Sequence, residues 1–139
     1  MRVCVIDGCG GGLGTPLILG LRPLAEQGHE LIGIGTNEVA RRTMAQAGAG
    51  QVAVSQGVVM KEIETADLIL GSLGIILPGS LRGEITTEIA EAVLQVPGRK
   101  LLLPVNHRGI EIVGAQSRPL RILIDSAIHQ VRSTLKTGS

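Results

Sequence analysis

Residues 2–14 read RVCVIDGCGGGLG, a short apolar run that breaks at Asp7 into six residues of which four are glycine, and closes on Leu13 and Gly14. Thr15 and Pro16 follow, with Leu17, Ile18, Leu21, Leu24 and Ala25 at helical spacing behind them. Strand, glycine loop and helix in that order form the context a phosphate-binding loop requires. Glycine lets the backbone approach an anion closely, and N–H groups at a helix start point toward it with the helix dipole behind them. Gly8, Cys9, Gly10, Gly11, Gly12, Leu13 and Gly14 are therefore candidate cofactor contacts. A Walker loop is excluded, because Thr15 follows Gly14 where a lysine would be needed.

The same alternation continues outward along the chain. Strand-like runs are expected at 2–7, 30–35, 51–54, 67–72 and 100–105, separated by segments of helical period. Runs such as DLILGS and KLLLPV suit strands covered on both faces. The expected fold is α/β: a Rossmann-like three-layer sandwich with a mainly parallel five-stranded sheet and helices on both faces. Helices are expected at about 15–27, shortened or kinked by Pro23, from Asn37 as N-cap to about Gly48, at 58–64 and at 86–94. The last helix is expected from Ser117 as N-cap, with Pro119 in its first turn and Leu120, Leu123, Ile124, Ala127, Ile128, Val131 and Leu135 on one stripe. Residues 1–136 read as one domain and 137–139 as a flexible tail.

Composition narrows the partners. The chain has 139 residues, 44% hydrophobic, and a net charge of +1, which gives no sequence-independent attraction to nucleic acid. It contains no Phe, Tyr or Trp, so a ligand's ring would have to lie against aliphatic side chains. Two cysteines, Cys4 and Cys9, make no disulfide framework, and no run reaches the roughly 18 apolar residues of a membrane span; a cytoplasmic location is expected. Two Cys and three scattered His show no zinc spacing, so no metal site is expected. Cys9 near a helix start reads as a small side chain tolerated in a tight loop more readily than as a nucleophile.

The loop spacing Gly8, Gly12, Gly14 matches Gly-x-x-x-Gly-x-Gly and resembles the cofactor-binding half of short-chain dehydrogenases. The strand ending in Ser72, followed by Leu73 and Gly74, resembles their fourth strand, which would set Ser72, Leu73 and Gly74 opposite the glycine loop. The catalytic half does not carry over, because those enzymes work through Tyr-x-x-x-Lys and the chain has no tyrosine. The second strand ends in Gly35-Thr36-Asn37, with no acid for an adenosine ribose, while Arg41 and Arg42 stand a helical turn further on. This favours NADP over NAD, held by Thr36, Asn37 and Arg41. Asp7 would repel a phosphate unless it caps loop N–H groups or holds magnesium. The segments IDGCGGGLG (6–14), GTN (35–37), GSLGIIL (71–77), GEIT (83–86) and EIVG (111–114) together resemble, from end to end, a family of small bacterial proteins known as a domain of unknown function. That resemblance implies the fold and supplies no catalytic residue.

Asn106, His107 and Arg108 follow the fifth strand and, with Asp7, are candidate substrate contacts; a solvated turn leading to a short strand IEIVG is the competing reading. The leading expectation is a protein that binds a nucleotide, dinucleotide or other small phosphorylated ligand. A small oxidoreductase or isomerase of a phosphorylated substrate is one alternative, and a structural, non-binding protein another. A homodimer is expected from the small size and from the apolar loop Ile75-Ile76-Leu77.

Overall fold

The computed structural model describes residues 1–8, 12–53, 56–105 and 109–136. Five strands form one sheet: β1 (Arg2–Asp7), β2 (Glu30–Gly35), β3 (Gln51–Ala53), β4 (Leu68–Ser72) and β5 (Arg99–Leu103). All pairings are parallel and the order is β3-β2-β1-β4-β5. The chain moves outward on one side of β1, then crosses to the other side at β4. This is the Rossmann-like order, and its switch point lies between β1 and β4.

Alternate side chains of β1, β2, β4 and β5 feed two cores. Val3, Val5, Leu31, Leu68 and Leu70 face α1 (Gly14–Glu26), α2 (Glu38–Ala47) and α5 (Leu120–Lys136). Cys4, Ile6, Ile32, Ile34 and Ile69 face α3 (Gln56–Glu64) and α4 (Thr87–Gln95). Neither layer contains an aromatic ring, and each fully buried Val, Leu, Ile or Met contributes about 1.5–3 kcal/mol. Arg2 pairs with Glu30 and Glu62 at the amino ends of the strands, and its backbone N–H donates to Asp67 Oδ2 at 2.7 Å. That edge is held by ion pairs, which leaves the carboxyl edge for the site.

Several helix boundaries follow from their caps. Asn37 Oδ1 accepts from the Ala40 N–H at 2.8 Å, and Gly48 ends α2 at φ 110°. Thr86 caps α4 through the Ile89 N–H at 3.2 Å. Pro23 does not shorten α1, which runs on to Glu26. Pro23 and Leu19 both lie on the exposed side, where water can serve the carbonyl that loses its partner. α5 begins at Leu120, later than the Ser117 cap predicts, with the Pro119 carbonyl accepting from Ile122 and Leu123.

Two expectations are corrected. The IEIVG stretch makes no strand: Ile110, Ile112 and Val113 are exposed, so no buried face rewards pairing. The triplet Ile75-Ile76-Leu77 is not an exposed patch either. Leu73–Ile76 form a 3-10 turn that tucks Ile75 fully into the α3–α4 core, with Ile76 packed half-buried against it. The apolar loop that was one ground for the expected self-association is therefore not an exposed patch. Among the described residues, no helix is long and apolar enough to cross a membrane.

Candidate functional site

The site is built where β1, β2 and β4 end. Asp7, the last residue of β1, is buried, and its Oδ2 accepts the N–H groups of Leu13 (3.0 Å) and Gly14 (2.6 Å). Of the roles open to this carboxylate, the structure shows capping of the α1 start. Burial pushes its pKa above the usual carboxylate range, and the N–H donors of Gly14, Gly8 and Leu13 pull against that shift. Leu13 and Gly14 are consequently corrected as anion donors: Asp7 already takes both N–H groups, and the Leu13 side chain is in the core. Gly12, at the turn into α1, differs, since a Cβ there would meet nothing within 4 Å among the described residues. Cys9, Gly10 and Gly11 lie outside the described residues, as do Asn106, His107 and Arg108.

Gly8 is buried in a close approach. A Cβ there would strike Thr36 Oγ1 and come within 3.3 Å of Glu84 Oε1. Glu84 is the residue sequence reasoning missed. Its Oε1 accepts from Thr36 Oγ1 at 3.0 Å and from Asn37 Nδ2 at 3.1 Å, so an acid does stand at the end of β2, delivered from a distant loop. Arg41 is turned the other way: its guanidinium grips Glu38, with Nε 3.0 and 2.9 Å from the two carboxylate oxygens. That hydrogen bond holds the Glu38 carboxyl below its ordinary range. An acid therefore stands where the sequence showed none at the end of β2, and Arg41 is engaged with Glu38.

Ser72 and Gly74 are buried, and the Ser80 hydroxyl donates to the Gly74 carbonyl. Gly74 is covered by that loop and is corrected as a ligand contact; Leu73 remains half-exposed on a cavity wall. Cys4, the free cysteine among the described residues, is buried with its thiol pushed up to about 12 by desolvation, which removes thiolate chemistry at that position.

Two hollows open at the carboxyl ends of the strands. One, of about 170 Å³, lies on the β2 side and is walled by Ile6, Ile34, Val59 and Ile89 with Thr36 and Glu84. The other, of about 720 Å³, lies past β4 and β5 and is walled by Leu73, Pro104, Val105, Ile110, Ile112 and Leu123, among others. An aliphatic slot with one carboxylate can take a flat ring and its polar attachment.

The family model for a domain of unknown function, DUF3842, matches residues 2–136. The chain belongs to the DUF3842 family. No curated protein matches it. Among solved structures, the DUF3842 chain is similar to a nucleoside-diphosphate-sugar epimerase from Pseudomonas aeruginosa, at 16% identity and a TM-score of 0.49. The match covers 99% of the DUF3842 chain and 49% of the epimerase, so the chain spans about half that enzyme's length.

Proposed function

We propose that this protein binds a nucleotide or dinucleotide across the carboxyl edge of its sheet. The observation that carries the reading is a pair of hollows at the carboxyl ends of the strands, one beside β1 and β2 and the other past β4 and β5, on either side of the switch point between β1 and β4. In open α/β sheets, that crevice is where ligands bind. The base would lie among Ile6, Ile34, Val59 and Ile89, the phosphates would pass Gly12, and the far end of a dinucleotide would reach the cleft beside Leu73. NADP belongs to the same class of ligand, as does a sugar nucleotide. With the Leu13 and Gly14 N–H groups already taken by Asp7, the phosphates would be held by the loop ahead of Leu13.

Thermal melting with ATP, ADP, NAD, NADP and a UDP-sugar tests this. A ligand at about 100 times its Kd stabilises the folded state by about 2.7 kcal/mol, a shift of several degrees for a chain of this size. No shift with any of the five would reject the reading and favour a structural role.

A further inference from the structure

Glu84 reaches the β2 edge through a costly piece of backbone. Leu81 and Arg82 stand at φ 52° and 58°, left-handed values that side-chain-bearing residues rarely adopt, and Gly83 follows at φ 81°. The surrounding loop enforces them. The Gly79 N–H donates to the Ile85 carbonyl at 2.8 Å, the Ile85 N–H to Ser80 at 3.2 Å and the Gly83 N–H to Gly79 at 3.1 Å. Buried Ile85 and Ser80 pin the two ends. The loop thus folds back so that the Glu84 carboxylate lies between Gly8 of the glycine loop and Thr36 after β2. Thr36 and Asn37 both bond to Oε1; Oε2 has no partner among the described residues, and Glu84 also forms part of the wall of the 170 Å³ hollow.

We propose that Glu84 reads the ribose of the bound nucleotide: its carboxylate accepts hydrogen bonds from a free 2′,3′-diol and rejects a ribose carrying a 2′-phosphate. The inference rests on the nucleotide reading above and adds the specificity of the site. Two vicinal hydroxyls supply two donors to an acceptor that is already oriented by Thr36 and Asn37, so little ordering is needed on binding. A 2′-phosphate would instead bring up to two negative charges against the carboxylate, with Arg41 tied to Glu38 rather than turned to meet them. Discrimination between NAD and NADP follows from that charge pairing. Discrimination between a ribose and a 2′-deoxyribose follows from the lost donor.

The experiment is titration calorimetry of the full chain with NAD, NADP, ADP and 2′-deoxy-ADP, on wild type, Glu84→Gln and Thr36→Val. Wild type is expected to bind NAD at least about tenfold tighter than NADP, and ADP at least about tenfold tighter than 2′-deoxy-ADP. Glu84→Gln keeps a carbonyl for Thr36 and Asn37 to donate to, and should bring NAD and NADP within about threefold of each other. Thr36→Val leaves the carboxylate charge and removes one of its positioning bonds, so its deoxyribose discrimination should fall while rejection of NADP persists. Circular dichroism confirms that each variant is folded, and Thr36→Val keeps the question open to measurement if Glu84→Gln is not. Binding of NAD and NADP with equal affinity by wild type, or undiminished rejection of NADP by Glu84→Gln, overturns the role of Glu84 and leaves the nucleotide reading standing. Binding of none of the four ligands overturns both.

Discussion

Thr36 and Glu84 stand 48 residues apart in the chain, yet the Thr36 hydroxyl donates to Glu84 Oε1 at 3.0 Å, and this bond joins the end of β2 to the loop before α4. Gly8 is packed against it. An alanine at position 8 would drive its Cβ into Thr36 Oγ1 and against Glu84 and Leu81, so the threonine must rotate and give up its bond. Gly8→Ala is therefore expected to cost about 1–3 kcal/mol, the usual range for an overpacked site. The midpoint of a urea titration measures it. A variant as stable as wild type would show that the contact relaxes freely.

Gly12 supplies the opposite case. Its Cβ would meet none of the described residues within 4 Å, so no described contact requires glycine there. Gly12→Val should stay within about 0.5 kcal/mol of wild-type stability, as surface changes do, while a branched side chain fills the path of the phosphates and abolishes nucleotide binding. Calorimetric titration beside circular dichroism separates the two effects. Undiminished binding by the folded variant would move the ligand off the glycine loop.

The contrast between these glycines shows which parts of the site were legible in sequence. The strands and the order of elements were readable because each apolar run has one length and one place between helix-period segments, and Asn37 and Gly48 mark the ends of α2 by chemistry that is local. The position of the glycine loop at a sheet edge was readable for the same reason. Whether a given glycine is needed for packing depends on what arrives from elsewhere, and Thr36 and Glu84 arrive from 28 and 76 residues further on. Glu84 carried one local signal, the glycines at 79 and 83 that make a tight turn just before it, but no spacing rule connects that turn to β2. The Ile75-Ile76-Leu77 run misled for a related reason: an apolar triplet after a strand can face a second subunit or turn under its own core, and only the 3-10 turn decides between them.

That turn changes what a charge at position 76 should do. Ile76 packs half-buried against the core that contains Ile75, Ile85 and Ile89. Ile76→Asp is expected to destabilise the folded chain by about 1–3 kcal/mol through a poorly solvated carboxylate. The molar mass by light scattering should be unchanged. A fall in mass without loss of melting temperature would place the side chain at a subunit contact instead.

Asp7 connects the stability of the fold to its proposed ligand. Its carboxyl is raised above the ordinary value because burial outweighs the three N–H donors, so the folded chain holds this proton more tightly than the unfolded chain does. Its contribution to stability is then complete below about pH 4, where the unfolded carboxyl titrates, and is lost as pH rises through the higher folded value. Asn at position 7 can still accept from the Leu13 and Gly14 N–H groups and carries no charge to desolvate. The melting temperature of Asp7→Asn, relative to wild type, should therefore climb as pH rises from about 4 to about 7, ending at or above the wild-type value. Binding should follow the same logic. A pyrophosphate beside the α1 start meets a like charge when Asp7 is ionised, so wild type should bind NAD more tightly as pH falls through the raised value of the folded carboxyl, whereas Asp7→Asn should bind it with little change as pH falls. Melting curves and calorimetric titrations across the range give both comparisons. A constant difference in melting temperature, or an equal pH slope in NAD affinity for the two proteins, would remove Asp7 from the account of the site.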